Sequence, residues 1–277
     1  MKKILAVSGG VDSVVMLDLM KDDADVIVAH FDHGIRGNSD EDADFVRRLS
    51  TMYNKVLECG AENLGENCSE AYARERRYEF LRAQAGKYGG EIYTAHHADD
   101  LVESVIINIL RGTGWRGLAP MMDVRVQRPL LGWSKAEIHR YAAEHGLRWR
   151  QDPTNTEDEY LRNRVRGMLF ERILAKDEVE KLMALSMRQR EISGEVDEIL
   201  MGILPEDNRY ERGWFRELDD LVALEILRAG LKKVGRAATR PQLMEFLNAV
   251  RTYETGKAFN LSEDYLLRFQ RDAFVLE

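Results

Sequence analysis

The sequence predicts an α/β fold: a parallel sheet with helices on both faces, followed by a smaller, mainly helical domain. Three observations carry that prediction. Short apolar or β-branched runs alternate with helix-length stretches through the first half of the 277 residues, the pattern of βαβ units. A glycine-rich hexapeptide, Ser8–Ser13, stands between the first strand and the first helix. Past the middle, strand signals give way to charged, Met- and Leu-rich helical sequence. The domain boundary is expected near residue 175, giving one domain over 1–175 and a second over 176–277.

Each element follows from local pattern. Lys3–Val7 is a short apolar strand and Asp12–Met20 a helix. Asp25–His30, Asp-Val-Ile-Val-Ala-His, reads as a buried strand. Ser39–Tyr53 opens with a capping serine and acidic first turn, with Ala43, Val46, Leu49 and Tyr53 at helical spacing. Lys55–Cys59 is a third strand, Ser69–Tyr88 a helix, Glu91–Ala95 a fourth strand, His97–Leu110 a helix and Val124–Leu130 a fifth strand. Ser134–His145 is a helix in which Ser134 and Glu137 form a capping box. Asp152–Asn155 is a turn, Glu157–Leu174 and Lys176–Leu200 are helical, and Pro205–Gly213 is a linker. Helices over Phe215–Gly230 and Arg240–Val250 precede a closing pair of strands, Lys257–Leu261 and Tyr265–Leu276.

Composition bounds the chemistry. The chain is 44% hydrophobic and 32% charged, the balance of a globular protein with a core. No apolar run reaches the ~18 residues of a membrane span, and the four-residue run Ile4–Val7 is too short for a signal-peptide core. A cytoplasmic protein without a membrane partner is expected. Cys59 and Cys68 are the only cysteines and form no C-x-x-C, which excludes a cysteine-built metal centre. The net charge of −8 argues against a nucleic-acid partner, but it is unevenly spread. Residues 1–110 hold 12 Lys and Arg against 20 Asp and Glu, residues 111–172 hold 12 against 8, and residues 173–277 hold 16 against 20. A basic stretch therefore follows the fourth helix and permits a salt-sensitive grip on nucleic acid.

Ser8-Gly9-Gly10-Val11-Asp12-Ser13 has the make-up of a phosphate loop. Two glycines allow a tight turn and close backbone approach. The helix that follows offers free N–H groups and the positive end of its dipole. Ser8 and Ser13 add hydroxyls, and Asp12 can hold Mg²⁺. The lysine of G-x-x-x-x-G-K-[ST] is absent, which disfavours γ-phosphoryl transfer. A second cluster lies at His96, Asp100 and Glu103, whose i, i+4, i+7 spacing projects all three from one helix face. Such a set can ligate a metal, bind a cationic substrate, or simply cap the helix with acidic groups.

The hexapeptide resembles the PP-loop of the ATP pyrophosphatase superfamily, with its adenine nucleotide alpha hydrolase-like fold. Further motifs follow in order: His30–Gly37, Glu70–Tyr78, His96–Glu103, Arg111-Gly112-Thr113-Gly114, Arg128-Pro129-Leu130-Leu131, Asp152-Pro153-Thr154-Asn155 and Tyr160–Arg166. Together they closely resemble the tRNA(Ile)-lysidine synthetase family, densely from residue 4 to about 170 and loosely beyond. The resemblance implies an AMP-forming ligase that joins L-lysine to C2 of the wobble cytidine of tRNA(Ile) with a CAU anticodon. It implies ATP and Mg²⁺ as cofactors, and a homodimer is compatible with it. By the family pattern Ser8, Gly9, Gly10, Val11, Asp12 and Ser13 hold the diphosphate, with Mg²⁺ on Asp12, and His30, Asp32 and His33 flank the adenosine. Arg111 and Gly112 bind nucleotide phosphate or tRNA backbone, Arg76 lies near the phosphates or the lysine carboxylate, and His96, Asp100 and Glu103 face the lysine and the reacting base.

Many relatives carry Asp-x-Ser-Asn where this chain has Asp152-Pro153-Thr154-Asn155, and the threonine keeps the hydroxyl. Longer members bear a further C-terminal domain, whereas this sequence ends at Glu277 with length for one helical domain. Two other enzyme readings share the loop: a tRNA 2-thiolase, which needs a cysteine arrangement that Cys59 and Cys68 do not form, and an amide synthetase, which leaves His96–Glu103 and Arg111–Gly114 unexplained. A non-catalytic nucleotide-binding module is the alternative from another class.

Overall fold

The computed structural model describes residues 1–34, 39–65, 68–121, 123, 125–150, 176–262 and 265–276. The expected turn at Asp152–Asn155, the helix at Glu157–Leu174 and the Tyr160–Arg166 motif lie outside the described residues. The chain forms two compact units, Met1–Met187 and Arg188–Glu277.

The first unit is the predicted α/β layer structure. Its strands are β1 (Lys2–Ala6), β2 (Val26–Asp32), β3 (Val56–Ala61), β4 (Gly90–Tyr93) and β5 (Val126–Gln127), and all pair in parallel. Between and after them run α1 (Val11–Leu19), α2 (Ser39–Met52), α3 (Glu70–Tyr88), α4 (Ala98–Leu110) and α5 (Lys135–Glu144). The sheet order is β3-β2-β1-β4-β5. Successive side chains point to opposite faces, so Leu5, Val7, Val26 and Val28 pack with α1, α2 and α5, while Ile4, Ile27, Ala29 and Ile92 pack with Leu81 of α3. Both faces are covered, as the near-continuous apolar strands require.

The order makes β1 and β4 neighbours although β2 and β3 intervene in sequence. That is the topological switch point, where connections leave the sheet in opposite directions and ligands bind at the carboxyl edge. Gly90 opens β4 opposite Lys2. A Cβ at Gly90 would stand 2.4 Å from the Lys2 carbonyl oxygen, so the close β1–β4 approach needs glycine. β5 is shorter than expected because the chain turns after Gln127, with the Leu131 N–H bonded to the Arg128 carbonyl. A 3₁₀ turn over Trp115–Leu118 follows α4.

The second unit has its own core. Helix α6 (Lys176–Ile203) leads into it, followed by α7 (Arg212–Glu217), α8 (Asp220–Lys233) and α9 (Arg240–Thr252). They pack with a four-stranded antiparallel sheet, β6 (Arg209–Glu211), β7 (Ala258–Ser262), β8 (Tyr265–Phe269) and β9 (Ala273–Leu276), in the order β6-β9-β8-β7. The stretch expected as a linker thus contributes an edge strand. The expected last strand is divided into β8 and β9 by a tight turn, where Gln270 N–H donates to the Ala273 carbonyl.

Candidate phosphate-loop site

Three helices, α1, α4 and α5, point their N-termini at the carboxyl edge of β1 and β4. Gly9 takes φ +93°, a conformation only glycine adopts without strain, and Gly10 caps α1 in an extended conformation. Ser13 organises the turn. Its Oγ accepts the N–H groups of Ser8 and Gly9, each at 3.2 Å, and donates to the Gly10 carbonyl at 2.8 Å. The N–H groups of Val11, Asp12 and Ser13, in the first turn, have no preceding helical carbonyl and face the edge. His30 is buried beneath the loop, with Nδ1 2.8 Å from the Val7 carbonyl. A carbonyl only accepts, so Nδ1 carries the proton. Arg150 crosses above: its N–H donates to the Gly9 carbonyl at 2.9 Å, and its guanidinium binds Asp42 and Glu41 of α2 at 2.9 and 2.7 Å.

Beside the loop lies a compact group of charges. Lys135 Nζ, from the first residue of α5, lies 2.6 and 2.8 Å from the two carboxylate oxygens of Asp12. The Lys135 backbone N–H donates to Asp99 at 2.6 Å. His97, with its side chain only 4% exposed, has Nε2 3.9 Å from Asp12 and 3.5 Å from Asp100, and Nδ1 3.4 Å from Asp99. Burial disfavours the imidazolium, but Asp99, Asp100 and Asp12 outweigh it and hold the His97 pKa above the usual histidine value. The Ala98 N–H donates to the Trp133 carbonyl at 2.9 Å, which fastens the start of α4 to the segment that delivers Lys135. Asp99 and Asp100 lie in the first turn of α4, where the helix dipole favours negative charge.

Helix α4 begins at Ala98, so His96 lies before it and helical spacing does not extend to it. The His96 Nδ1 is 2.8 Å from Thr94 Oγ1. Asp100 accepts the His97 N–H at 3.0 Å, and Glu103, one turn on, is fully buried. Asp32 and His33 end and follow β2 at the same edge of the sheet, and Asp32 accepts the Gly34 N–H at 2.8 Å. Arg76 is on α3, where it binds Glu62 at 2.8 Å and also Glu79. The Glu62 N–H donates to the Asp32 carbonyl at 2.9 Å, so Arg76 stands on the β2–β3 side. Arg111 and Gly112 follow the last residue of α4, about 20 Å along that 13-residue helix from its N-terminus at 1.5 Å per residue.

His97 and Lys135 belong to this cluster and were not singled out by motif reading. The weak signal for His97 was its place immediately before a first turn carrying two aspartates; for Lys135, its place at the first position of a capped helix. The carboxylates of Asp12, Asp99 and Asp100 are hard oxygen donors. Mg²⁺ takes one or two carboxylates together with water and phosphate oxygens. Asp12 therefore fits such an ion, provided Lys135 gives up one of its oxygens. Among the described residues no group of three or more His, Cys, Asp or Glu forms a ready metal cage. Nor is any described helix long and apolar enough to cross a membrane.

Comparison with known proteins agrees with this architecture. Among curated proteins, the chain is 37% identical over 177 residues to the tRNA(Ile)-lysidine synthase of Thermotoga sp. strain RQ2, covering 59% of this chain and 43% of that one. It is 29% identical over 293 aligned positions to the tRNA(Ile)-lysidine synthase of Burkholderia mallei, covering 97% and 60%. The chain thus spans about half the length of these curated relatives. Among solved structures, the U34-tRNA thiolase NcsA from Methanococcus maripaludis, with its 4Fe-4S cluster, matches with a TM-score of 0.58. That match has 18% identity and covers 69% of this chain and 72% of the other, a likeness of fold. The family described as the PP-loop domain matches residues 1–173. With its hexapeptide at the carboxyl end of β1 and its switch point between β1 and β4, this chain belongs to the PP-loop family.

Proposed function

We propose that the chain is an ATP-dependent tRNA-modifying ligase that forms lysidine. The observation that carries the reading is the meeting of the Ser8–Ser13 loop with the acidic start of α4, at one point on the sheet edge. One side of that point suits an anion and the other an ammonium group. The names of the curated relatives supply the substrate class.

In this reading the C2 oxygen of the wobble cytidine in a CAU anticodon attacks the α-phosphorus of ATP, and diphosphate leaves. The ε-amine of L-lysine then attacks C2, and the C2–O bond breaks to release AMP. The N–H groups of the first turn of α1 and the hydroxyl of Ser8 hold the diphosphate end, on a turn that Ser13 organises. Mg²⁺, carried by Asp12, would neutralise charge on the leaving group. His30, Asp32 and His33 border the adenosine, and Arg111 and Gly112, at the far end of α4, contribute to the tRNA backbone. Arg76 offers a guanidinium to a phosphate or to the carboxylate of lysine. His96 and Asp100 face the lysine and the base, and Glu103, buried one turn on, adds negative charge behind them. Free lysine titrates near ~10.4, so it arrives as an ammonium that carboxylates bind; Asp100 then takes the proton that the nucleophile must lose.

The test is transfer of radiolabelled lysine to a tRNA with a CAU anticodon, in the presence of ATP and Mg²⁺. Acid-precipitable label is expected. ATP binding without transfer to this tRNA sinks the lysidine reading. Asp100→Asn is expected to lower transfer by at least about 100-fold, the scale of a lost acid–base group, while ATP binding persists.

A further inference from the structure

The hexapeptide contains no lysine, although an anion loop gains much from an ammonium group that can follow phosphate charge. The fold brings one from 123 residues away: Lys135 Nζ rests on both oxygens of Asp12, the second residue of α1. Its position is fixed by backbone. Ser134 Oγ accepts the Glu137 N–H at 3.3 Å, Glu137 accepts the Ser134 N–H at 2.8 Å, and Asp99 accepts the Lys135 N–H at 2.6 Å. The base of the side chain is thus anchored on two sides. The side chain itself is 42% exposed and joined only at its tip.

We propose that Lys135 is the phosphate-binding cation of this site, and that it rests on Asp12 until nucleotide arrives. The inference depends on the reading of Ser8–Ser13 as a nucleotide loop. Asp12 is the residue suited to Mg²⁺, and a carboxylate held through both oxygens by an ammonium group is a poor partner for a second cation. When metal and phosphate enter together, the ammonium group exchanges a carboxylate for phosphate oxygens a short swing away, and Asp12 is released to the metal. Lys135 thus masks the negative charge of Asp12 toward an incoming polyanion, and then supplies positive charge to the diphosphate end. No covalent change is involved.

This exchange predicts effects of opposite sign. In the full chain, Lys135→Met is expected to weaken binding of inorganic diphosphate and of ATP with Mg²⁺ by about 10- to 100-fold, the scale of a charge-assisted contact. The same variant is expected to bind Mn²⁺ alone, followed by its paramagnetic resonance signal, at least about 5-fold more tightly, because a cation next to Asp12 is gone. Lys135→Arg keeps the charge and is expected to hold diphosphate within a few-fold of the parent. Circular dichroism melts establish that both variants fold. Unchanged diphosphate affinity in folded Lys135→Met, or weaker binding of Mn²⁺, overturns the inference alone. A parent protein that binds neither ATP nor diphosphate overturns the nucleotide-loop reading with it.

Discussion

Asp18 shows how single residues hold the site's scaffold. It lies buried in α1 and accepts hydrogen bonds from Tyr53 Oη at 2.5 Å and Tyr141 Oη at 2.9 Å, with Lys21 Nζ at 3.1 Å. One carboxylate thereby joins α1, the end of α2 and α5. Burial alone pushes its pKa up, but the bonds from Tyr53, Lys21 and Tyr141 prevail and hold it below the ordinary aspartate value. Tyr141 is in turn pushed up to about 12, chiefly by burial. A depressed carboxyl pKa adds stability that is present above the unfolded value near ~3.9 and is lost as pH falls through the folded one. Tyr53→Phe is expected to cost about 1–2 kcal/mol in urea denaturation at pH 7. Asp18→Asn is expected to flatten the decline of stability below pH ~4. None of this was legible in sequence: Asp18 reads there as one more acidic residue on a helix, because its partners are 35 and 123 residues away. The same blindness hid Lys135, while Ser8–Ser13 was legible because its chemistry is contained in six consecutive residues.

At the scale of elements, local pattern served wherever the deciding interactions are local. The parallel strands were readable because each is an apolar run bounded by breakers, and α5 because Ser134 and Glu137 announce its start. Ser134→Ala removes that cap and is expected to lower stability by about 1 kcal/mol in chemical denaturation. Pattern failed where pairing is distant. Strand β6 is three residues long and exists because it pairs with β9, in the register Arg209↔Val275, Tyr210↔Phe274 and Glu211↔Ala273. Helix α4 begins at Ala98 with His97 as its cap, and the cap position puts His97 and not His96 beside Asp99 and Asp100. Gly90 sets the approach of β4 to β1. Gly90→Ala is expected to destabilise by about 1–3 kcal/mol through the clash with Lys2. It should also weaken ATP binding in a calorimetric titration, because β4 carries the acidic start of α4.

At the scale of the whole molecule, each unit has buried clusters of its own among the described residues. In the first unit one gathers Leu5, Val15, Val28 and Ile138, and in the second one gathers Phe215, Leu227, Phe246 and Phe274. Arg212 anchors the second by donating to the carbonyls of Val250 and Tyr253 at 2.9 and 2.5 Å. A fragment over residues 188–277 is expected to melt cooperatively by circular dichroism; a broad, featureless melt counts against an independent core. The charge distribution acts at this scale too. The net excess of four basic residues over 111–172 lies within an otherwise acidic chain. Under the tRNA reading, filter binding should weaken by at least about 10-fold between 50 and 200 mM salt, since several phosphate contacts each release counterions. Salt-independent binding would count against a phosphate-led interface.

The bond from Arg150 to Gly9 and the pair Lys135–Asp12 give the loop a history in time. Translation delivers the six loop residues together, but Lys135 and Arg150, which brace them, emerge more than a hundred residues later. A nascent chain halted at residue 130 would display the full motif and lack the site. Contacts so distant in sequence form slowly, because a long loop must close before they contribute. Nucleotide affinity should therefore appear late in synthesis, as a step once residue 150 has cleared the ribosome. It would then report the arrival of Lys135 and Arg150 at the loop and not the presence of the motif.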